Sequence, residues 1–204
     1  MKKFKTIIFD LDGVIIDSKD NMKKSWNNLK KKLHLKQNFN EYFEYVGYPF
    51  EKILSKIGIK NDIDKIKILY KNFSIKNIRY VKINKEMIKT INILRKKKIK
   101  LAIVTSKDIS RTRIIVKKFR IPIELVVSPK RNMKGKPFPD QLNFALKKLG
   151  SSKKNSAYVG DMYVDSQSAA NTGIDFIFAQ YGYGNMKKSY NRVIKKPIDI
   201  LKFI

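Results

Sequence analysis

Near its start the chain reads Phe4-Lys5-Thr6-Ile7-Ile8-Phe9-Asp10-Leu11-Asp12-Gly13-Val14-Ile15-Ile16-Asp17-Ser18, and this stretch decides the fold. The apolar run at 7–9 predicts a buried strand, and two carboxylates two positions apart follow it. Because side chains alternate between the two sides of a strand, we expect Asp10 and Asp12 on the same side of the backbone.

The two acids at the end of this strand allow two interpretations. Like charges this close repel unless something neutralises them, and a divalent cation that prefers hard oxygen ligands, such as Mg²⁺, would do so. Open α/β sheets also bind their ligands at the carboxyl ends of strands. The alternative is a simple hairpin turn, since Asp-Gly is a strong turn signal, and the rest of the chain has to decide.

Length and composition set limits on the class of protein. The chain has 204 residues, enough for one domain with an insertion or for two small domains. It has no cysteine, which excludes disulfides, thiolate metal sites and a cysteine nucleophile. The apolar run near the N-terminus is too short for a signal peptide, and no run approaches the roughly 18 apolar residues of a membrane span. We therefore predict a cytoplasmic protein that does not bind membranes.

The formal net charge of +29 suggests a polyanion as partner. However, 39 of the 46 basic residues are lysine and only 7 are arginine, the residue preferred for bidentate phosphate and base recognition. The lysines are also scattered along the chain. We therefore predict no specific nucleic-acid partner, and only a nonspecific affinity for polyanions at low salt.

Residues 17–81 are predicted to form a separate helical unit. Met22, Trp26, Leu29 and Leu33 have helical spacing and predict a helix over 19–34. Similar apolar faces recur up to residue 80, with Gly47-Tyr48-Pro49 and Gly58 as interruptions. We expect four short helices here and no strand.

From residue 82 onward the pattern alternates between helix and strand. The predicted helices are 85–98, 109–119, 140–149 and 165–171, and the predicted strands are 101–104, 125–127, 157–159 and 175–179. A short helix is expected at 198–204. Alternation of this kind predicts an α/β fold with a parallel sheet covered by helices on both faces. The domains are then 1–16 with 82–204 as the core and 17–81 as an insertion.

Polar side chains follow several of the predicted strands or precede a helix. They are Asp10, Asp12, Thr105, Ser106, Lys136, Asp161 and Asp165. Parallel strands bring their carboxyl ends to one edge of the sheet, so these groups are expected to converge there. Asp161 would be a third acid for a cation, and Asp165, four residues on, lies on the same helical face.

The chemistry of these groups suits phosphoryl transfer. Asp10 could attack phosphorus as a nucleophile, and Asp12 could protonate the leaving oxygen and later deprotonate water. Thr105 offers a hydroxyl and Ser106 a backbone N–H to phosphoryl oxygens, while Lys136 offers positive charge. Each feature alone is weak or moderate evidence, but their occurrence together, in this order, favours a common site.

Four segments that contain these residues resemble the motifs of the haloacid dehalogenase superfamily. The matching segments are 9–18, Val104-Thr105-Ser106-Lys107, Lys136-Pro137-Phe138-Pro139-Asp140 and Val159-Gly160-Asp161-Met162-Tyr163-Val164-Asp165. The resemblance extends over nearly the whole chain and is strongest to the phosphoglycolate phosphatase and β-phosphoglucomutase-like subfamily. It implies a Rossmann-like parallel-sheet core, with residues 17–81 as a small α-helical cap that closes over the site.

The resemblance also implies roles for the matching residues. Asp10 would be the nucleophile that becomes phosphorylated, and Asp12 the general acid and base. Side chains of Asp10 and Asp161, with the backbone carbonyl of Asp12, would bind Mg²⁺ as the cofactor. Asp165 would support these ligands, through water or Lys136.

Thr105, Ser106 and Lys136 would hold the phosphoryl group. Lys134 is a rival to Lys136, but only Lys136 stands directly before the Pro-x-Pro sequence. The second aspartate of the first motif is absent from true dehalogenases, so its presence as Asp12 favours phosphoryl transfer.

We therefore predict a Mg²⁺-dependent phosphatase that acts on a small phosphorylated metabolite, and we expect it to be a monomer. A β-phosphoglucomutase-like enzyme is the first alternative, because the Asp12-Gly13-Val14 form occurs in both groups. A phosphonatase-like enzyme with a Schiff-base lysine such as Lys52 is a weaker one. From another class, an inactive polyanion-binding protein remains open.

Overall fold

A six-stranded parallel sheet forms the centre of the protein. The computed structural model describes residues 3–185 and 189–204, so parts of the predicted core at 1–2 and 186–188 lie outside the described residues. The strands of the sheet are β1 (Thr6–Phe9), β4 (Lys100–Val104), β5 (Leu125–Val127), β6 (Ser156–Gly160), β7 (Asp175–Ala179) and β8 (Val193–Ile194). Their order is β5-β4-β1-β6-β7-β8, with every neighbouring pair parallel. The predicted α/β, Rossmann-like fold class is confirmed.

Eight α-helices accompany this sheet. They are α1 (Lys19–Leu33), α2 (Phe39–Glu44), α3 (Phe50–Lys56), α4 (Ile63–Lys76), α5 (Lys85–Lys96), α6 (Ile109–Phe119), α7 (Asp140–Leu149) and α8 (Tyr163–Thr172) among the residues described. The segment predicted as a helix at the C-terminus is a 3₁₀-helix, Pro197–Phe203.

The helices cover both faces of the sheet, as the alternation of side chains along β1 requires. Ile7 and Phe9 belong to the hydrophobic cluster that contains the apolar face of α5. Ile8 points to the opposite cluster, which includes Leu142 of α7 and Ala169 of α8. Burial on both faces explains why β1 is apolar from Ile7 to Phe9 rather than alternating.

Helices α1 to α4 pack around a hydrophobic cluster of their own. Trp26 of α1 is fully buried in it and stacks on Tyr42 of α2, with ring centroids 4.6 Å apart. Asn21 of α1 donates to the carbonyl of Ser74 in α4 at 2.9 Å, and the Ser74 hydroxyl donates back to Asn21 Oδ1 at 2.9 Å. This separate cluster is consistent with a cap at 17–81, and the domain boundaries themselves stay a prediction.

Two very short strands lie at the entry to and the exit from the cap. β2 (Ile16–Asp17) and β3 (Lys82–Ile83) pair antiparallel. Neither was predicted, because two residues are too few to show a period. Because these strands pair, the two segments that connect the sheet domain with the predicted cap lie side by side. None of the described helices combines the length and apolar character of a membrane-spanning segment.

Candidate active site

The carboxyl edge of the sheet gathers the predicted site residues. β1 lies between β4 and β6, so Asp10, Thr105 and Asp161 follow three adjacent parallel strands. All three are buried. Convergence of polar groups at this edge agrees with the position of ligand sites in open α/β sheets.

Lys136 reaches this edge from the loop before α7. Its ammonium donates to Asp10 Oδ1 at 2.6 Å and to Asp165 Oδ1 at 2.7 Å, and the side chain is 0 % exposed. The rival Lys134 is exposed, and its Nζ lies 4.9 Å from the ring centroid of Phe138. The geometry therefore places Lys136, and not Lys134, beside the acids.

The two acids after β6 differ in how their oxygens are used. Asp165 Oδ1 also accepts a hydrogen bond from the Tyr158 hydroxyl at 3.2 Å, and its Oδ2 accepts one from the Met162 N–H at 3.0 Å. Asp161 Oδ2 accepts from the Tyr183 N–H at 2.6 Å, but its buried Oδ1 has no partner among the described residues. An unpartnered buried carboxylate oxygen is costly unless a ligand satisfies it.

A metal ion fits this acidic cluster, which we define as Asp10, Asp161 and Asp165. One carboxylate oxygen from each lies within 4.8 Å of the others. Hard oxygen donors of this kind suit Mg²⁺. Asp165 is already bound to Lys136, Tyr158 and the backbone, so the free oxygen of Asp161 favours Asp161 as a direct ligand and Asp165 as support.

Burial and mutual repulsion raise the pKa values of Asp10 and Asp161. Burial raises the pKa of Asp10 to about 7, and the Asp165 carboxylate adds to the effect while Lys136 opposes it. Burial, together with Asp165 and Asp10, holds the pKa of Asp161 well above its usual range. Burial alone would lower the pKa of Lys136, but the carboxylates of Asp10 and Asp165 raise it overall. Lys136 is therefore a permanent cation.

Asp12 lines the site beside Asp10, and its carboxylate is held from two directions. Lys107 Nζ lies 3.1 Å from its Oδ2, and the Ser18 hydroxyl donates to its Oδ1. Burial lowers the pKa of Lys107, with the Asp12 carboxylate acting against it. The carboxylate is thus oriented by one group from the core and one from the start of the cap.

Thr105 and Ser106 directly follow β4, the neighbour of β1, at the same edge of the sheet. Gln141 donates to the Thr105 carbonyl at 3.1 Å, and Thr105 Oγ1 accepts from the Lys107 N–H at 3.1 Å. The Ser106 hydroxyl donates to the Gly47 carbonyl of the cap at 2.6 Å. The side chain of Ser106 therefore contacts the cap, and its predicted phosphate contact through the backbone N–H stays a prediction.

A cavity of about 40 Å³ lies between this edge and the cap. Its floor includes Asp10, Asp12, Thr105 and Ser106. Its roof comes from the cap and is mainly apolar. Lys52, the residue that a phosphonatase-like reaction would need, is exposed on α3.

Residues 7–179 match the family model described as haloacid dehalogenase-like hydrolase. The chain belongs to this family. The match spans both the sheet and the helical insertion, and the prediction of an enzyme of this class, a phosphatase by the names of its relatives, is confirmed.

Two curated relatives in this family carry more specific names. A protein of Caldanaerobacter subterraneus subsp. tengcongensis, provisionally named pyrophosphatase PpaX, is 31% identical over 179 residues, covering 84% of this chain and 80% of the relative. The phosphoglycolate phosphatase of Aquifex aeolicus is 24% identical over 206 residues, covering 98% of this chain and 96% of the relative.

A solved structure confirms the fold at low sequence identity. A Lactobacillus plantarum protein, provisionally described as a phosphoglycolate phosphatase, has a TM-score of 0.91 at 20% identity, with 99% of this chain and 100% of that chain covered. The likeness includes the cap, since nearly the whole of both chains aligns.

Several residues around this candidate site were not predicted as site residues. Lys107 borders the cavity from the loop after β4, and Arg111 borders it from the first turn of α6. Tyr183 binds Asp161 through its N–H, while its hydroxyl accepts from the Ser18 N–H at 2.6 Å. The one available signal was position: Lys107 directly follows Ser106, and Tyr183 stands in a Gly-Tyr-Gly loop.

Proposed function

We propose that the protein is a Mg²⁺-dependent phosphatase that hydrolyses a small phosphorylated metabolite through an aspartyl-phosphate on Asp10. One observation carries the proposal. A buried lysine bridges the acid after β1 to the acid of α8, while a third buried acid keeps one oxygen without a partner. A solely structural ion pair would not require that third acid beside it.

In the first step a carboxylate oxygen of Asp10 attacks phosphorus, and the bond from phosphorus to the leaving oxygen breaks. Asp12, protonated at that point, gives its proton to the leaving oxygen. The hydroxyl of Thr105, the backbone N–H of Ser106 and the ammonium of Lys136 hold the phosphoryl oxygens. The leaving alcohol then departs.

In the second step water attacks the phosphorus of the aspartyl-phosphate. Asp12, now ionised, takes the proton of the water, and the bond between phosphorus and Asp10 breaks. Inorganic phosphate leaves and Asp10 is restored. Lys107 and Ser18 support this role, since both orient the Asp12 carboxylate.

The side chains of Asp10 and Asp161 and the backbone carbonyl of Asp12 would hold Mg²⁺, and Asp165 would position Lys136. When bound, the ion would neutralise charge on the phosphoryl oxygens. The relatives' names point to phosphoglycolate and pyrophosphate as substrates to test. The same names favour a phosphatase over a β-phosphoglucomutase-like enzyme.

The test is phosphate release from p-nitrophenyl phosphate, with and without Mg²⁺. We expect Mg²⁺-dependent release by the parent and, for Asp10→Asn, a loss of at least about 10³-fold, because the nucleophile is gone. Asp64→Asn removes an exposed cap carboxylate and should behave like the parent. If Asp10→Asn keeps the parent's activity, the proposal is wrong; conversion of a hexose 1-phosphate to its 6-phosphate without phosphate release would favour the mutase.

A further inference from the structure

Arg111 is a buried cation that the proposed reaction does not use. It stands in the first turn of α6, is 7% exposed, and borders the same cavity as Asp10 and Thr105. Its Nε donates to the carboxylate of Asp108. Arg111 also hydrogen-bonds the Tyr70 hydroxyl. A guanidinium has five N–H donors in a planar fork, so these two bonds leave donors for an anion.

The cap places polar groups opposite this arginine. The Arg111 Cζ lies 5.2 Å from the ring centroid of Tyr70. The hydroxyls of Tyr70 and Tyr42 are 2.8 Å apart and buried, and both side chains border the cavity. The cap wall around them is largely apolar, with Met22, Val46, Phe50 and Ile53. A few convergent polar groups in an apolar wall are characteristic of a ligand site.

The proposed reaction already gives roles to the other two buried cations near Asp10 and Asp12. Lys136, bound to Asp10 and Asp165, holds the phosphoryl oxygens together with Thr105 and Ser106, and Lys107 orients Asp12. Arg111 is the buried cation at the cavity that this reaction leaves without a role. A second cavity of about 280 Å³ adjoins at Arg111 and Tyr70. Its charged lining also includes Lys71, Asp108 and the ion pair between Lys67 and Glu51.

The geometry points to a second anion subsite formed by Arg111 and the Tyr70 hydroxyl. The preferred substrate then carries a second anionic group, a carboxylate or another phosphate, on its leaving group close to the phosphorus. This inference rests on the proposed phosphatase function and adds a specificity-determining residue to it. Bidentate binding by arginine suits both kinds of anion.

The experiment compares kcat/KM for three substrates in the Mg²⁺-loaded protein. 2-Phosphoglycolate carries a carboxylate, pyrophosphate carries a second phosphate, and 2-hydroxyethyl phosphate matches the first in size without the charge. We expect the parent to prefer one or both anionic substrates. Arg111→Gln should lower kcat/KM for the preferred anionic substrate by about 10- to 100-fold, the range for a hydrogen bond to a charged group. Its effect on 2-hydroxyethyl phosphate should stay within about threefold.

Two matched variants separate charge from structure. Arg111→Lys keeps the charge without the fork and should fall between the parent and Arg111→Gln. Arg113→Gln removes an exposed arginine from the same helix and should leave all three values unchanged. An equal loss for all substrates in Arg111→Gln would mean a structural role and would overturn the inference, as would a parent without preference for a second anion.

An inhibition measurement uses only the parent protein, so its result does not depend on whether the variants fold. Glycolate should inhibit hydrolysis of 2-hydroxyethyl phosphate competitively, and ethylene glycol should not. Equal inhibition by both, or by neither, counts against the subsite. A parent that releases no phosphate from any phosphorylated substrate, p-nitrophenyl phosphate included, would instead remove the proposed function itself.

Discussion

At the scale of single residues, Lys136 is the group on which the acidic cluster depends. It is the cation that Asp10 and Asp165 share, with Asp161 beside them. With all three acids ionised, the four groups carry two negative charges in excess. A divalent cation balances that excess, so the residue chemistry and the proposed cofactor agree.

Removal of Lys136 should therefore destabilise the protein in a pH-dependent way. In Lys136→Met, Asp10 and Asp165 lose their shared cation, and breaking a buried pair costs about 3–5 kcal/mol. At pH 8 we expect a loss of that size in urea unfolding without Mg²⁺. At pH 5.5 the loss should be smaller, since the pKa of Asp10 is already raised to about 7 in the parent, so protonation replaces the missing cation.

The matched control for this variant is Lys134→Met. It removes an exposed lysine two residues earlier in the same loop and should leave the unfolding midpoint close to the parent's. An equal loss for Lys136→Met at both pH values would show that the unpaired charge of Asp10 is not the cause of the loss.

At the scale of elements, the loop between α2 and α3 joins the cap to the core. Gly47 in this loop has φ +101°, and its carbonyl accepts from Ser106. A Cβ at this position would lie 2.8 Å from Val164 Cγ1, at the start of α8. The loop can approach the site this closely because residue 47 has no side chain.

Gly47→Ala should therefore lower activity beyond its effect on stability. Gly58→Ala is the control, since Gly58 also has positive φ, +80°, but an added Cβ there meets nothing within 4 Å. Both variants should lose on the order of 1–3 kcal/mol from backbone strain. Only Gly47→Ala should reduce kcat/KM for p-nitrophenyl phosphate, by about 10- to 100-fold, because small displacements of a closing element have such effects. If the two variants lose activity equally, contact of this loop with the core does not matter for catalysis.

The elements that the sequence predicted well are those with strong periodicity. The prediction for α6, Ile109–Phe119, agrees with the structure at both ends, and α5 ends two residues earlier than expected, at Lys96. The short strands β2 and β3 and the edge strand β8 were not predicted, because each has only two residues. Strands this short form only because the folded chain brings their partners beside them, and the local sequence pattern carries no information about those partners.

The same limit applies to the candidate site. Residues that end strands were predicted to converge because parallel topology dictates it. Lys107 and Arg111 were not assigned, since their roles depend on Asp12, Tyr70 and the cap, far along the chain. The hydrogen bonds of Tyr183 to Ser18 and Asp161 cross 165 and 22 positions. Only the folded chain shows that these residues belong together.

At the scale of the whole molecule, the protein carries a net charge of +29, whereas the candidate site contains a cluster of three acids. A positive protein attracts anions and raises their rate of encounter, which suits phosphorylated substrates of any leaving group. The same field repels free Mg²⁺. If the protein is the proposed Mg²⁺ enzyme, the buried acids have to retain the ion against this field, and the same acids are expected to make the protein's stability depend on pH.

Asp10 and Asp161 have folded pKa values raised above the usual 3.8, to about 7 for Asp10. Between the unfolded and folded values the native state binds more protons, so stability falls as pH rises through this window. The slope approaches about 1.4 kcal/mol per pH unit for each group. The proposed Mg²⁺ would bind the ionised acids and offset this loss, so its stabilising effect should be larger at pH 8 than at pH 5.5.

Thermal unfolding with and without Mg²⁺ at these two pH values measures this coupling. We expect the increase in Tm on addition of saturating Mg²⁺ to be several degrees larger at pH 8 in the parent, because metal binding displaces protons from the ligands. Asp161→Asn removes one raised carboxyl and one ligand oxygen, so its Tm without Mg²⁺ should rise at pH 8 and its response to Mg²⁺ should shrink. Asp64→Asn, an exposed substitution, should reproduce the parent. Equal Mg²⁺ shifts at both pH values, or an unchanged response in Asp161→Asn, would show that the acidic cluster is not where the metal binds.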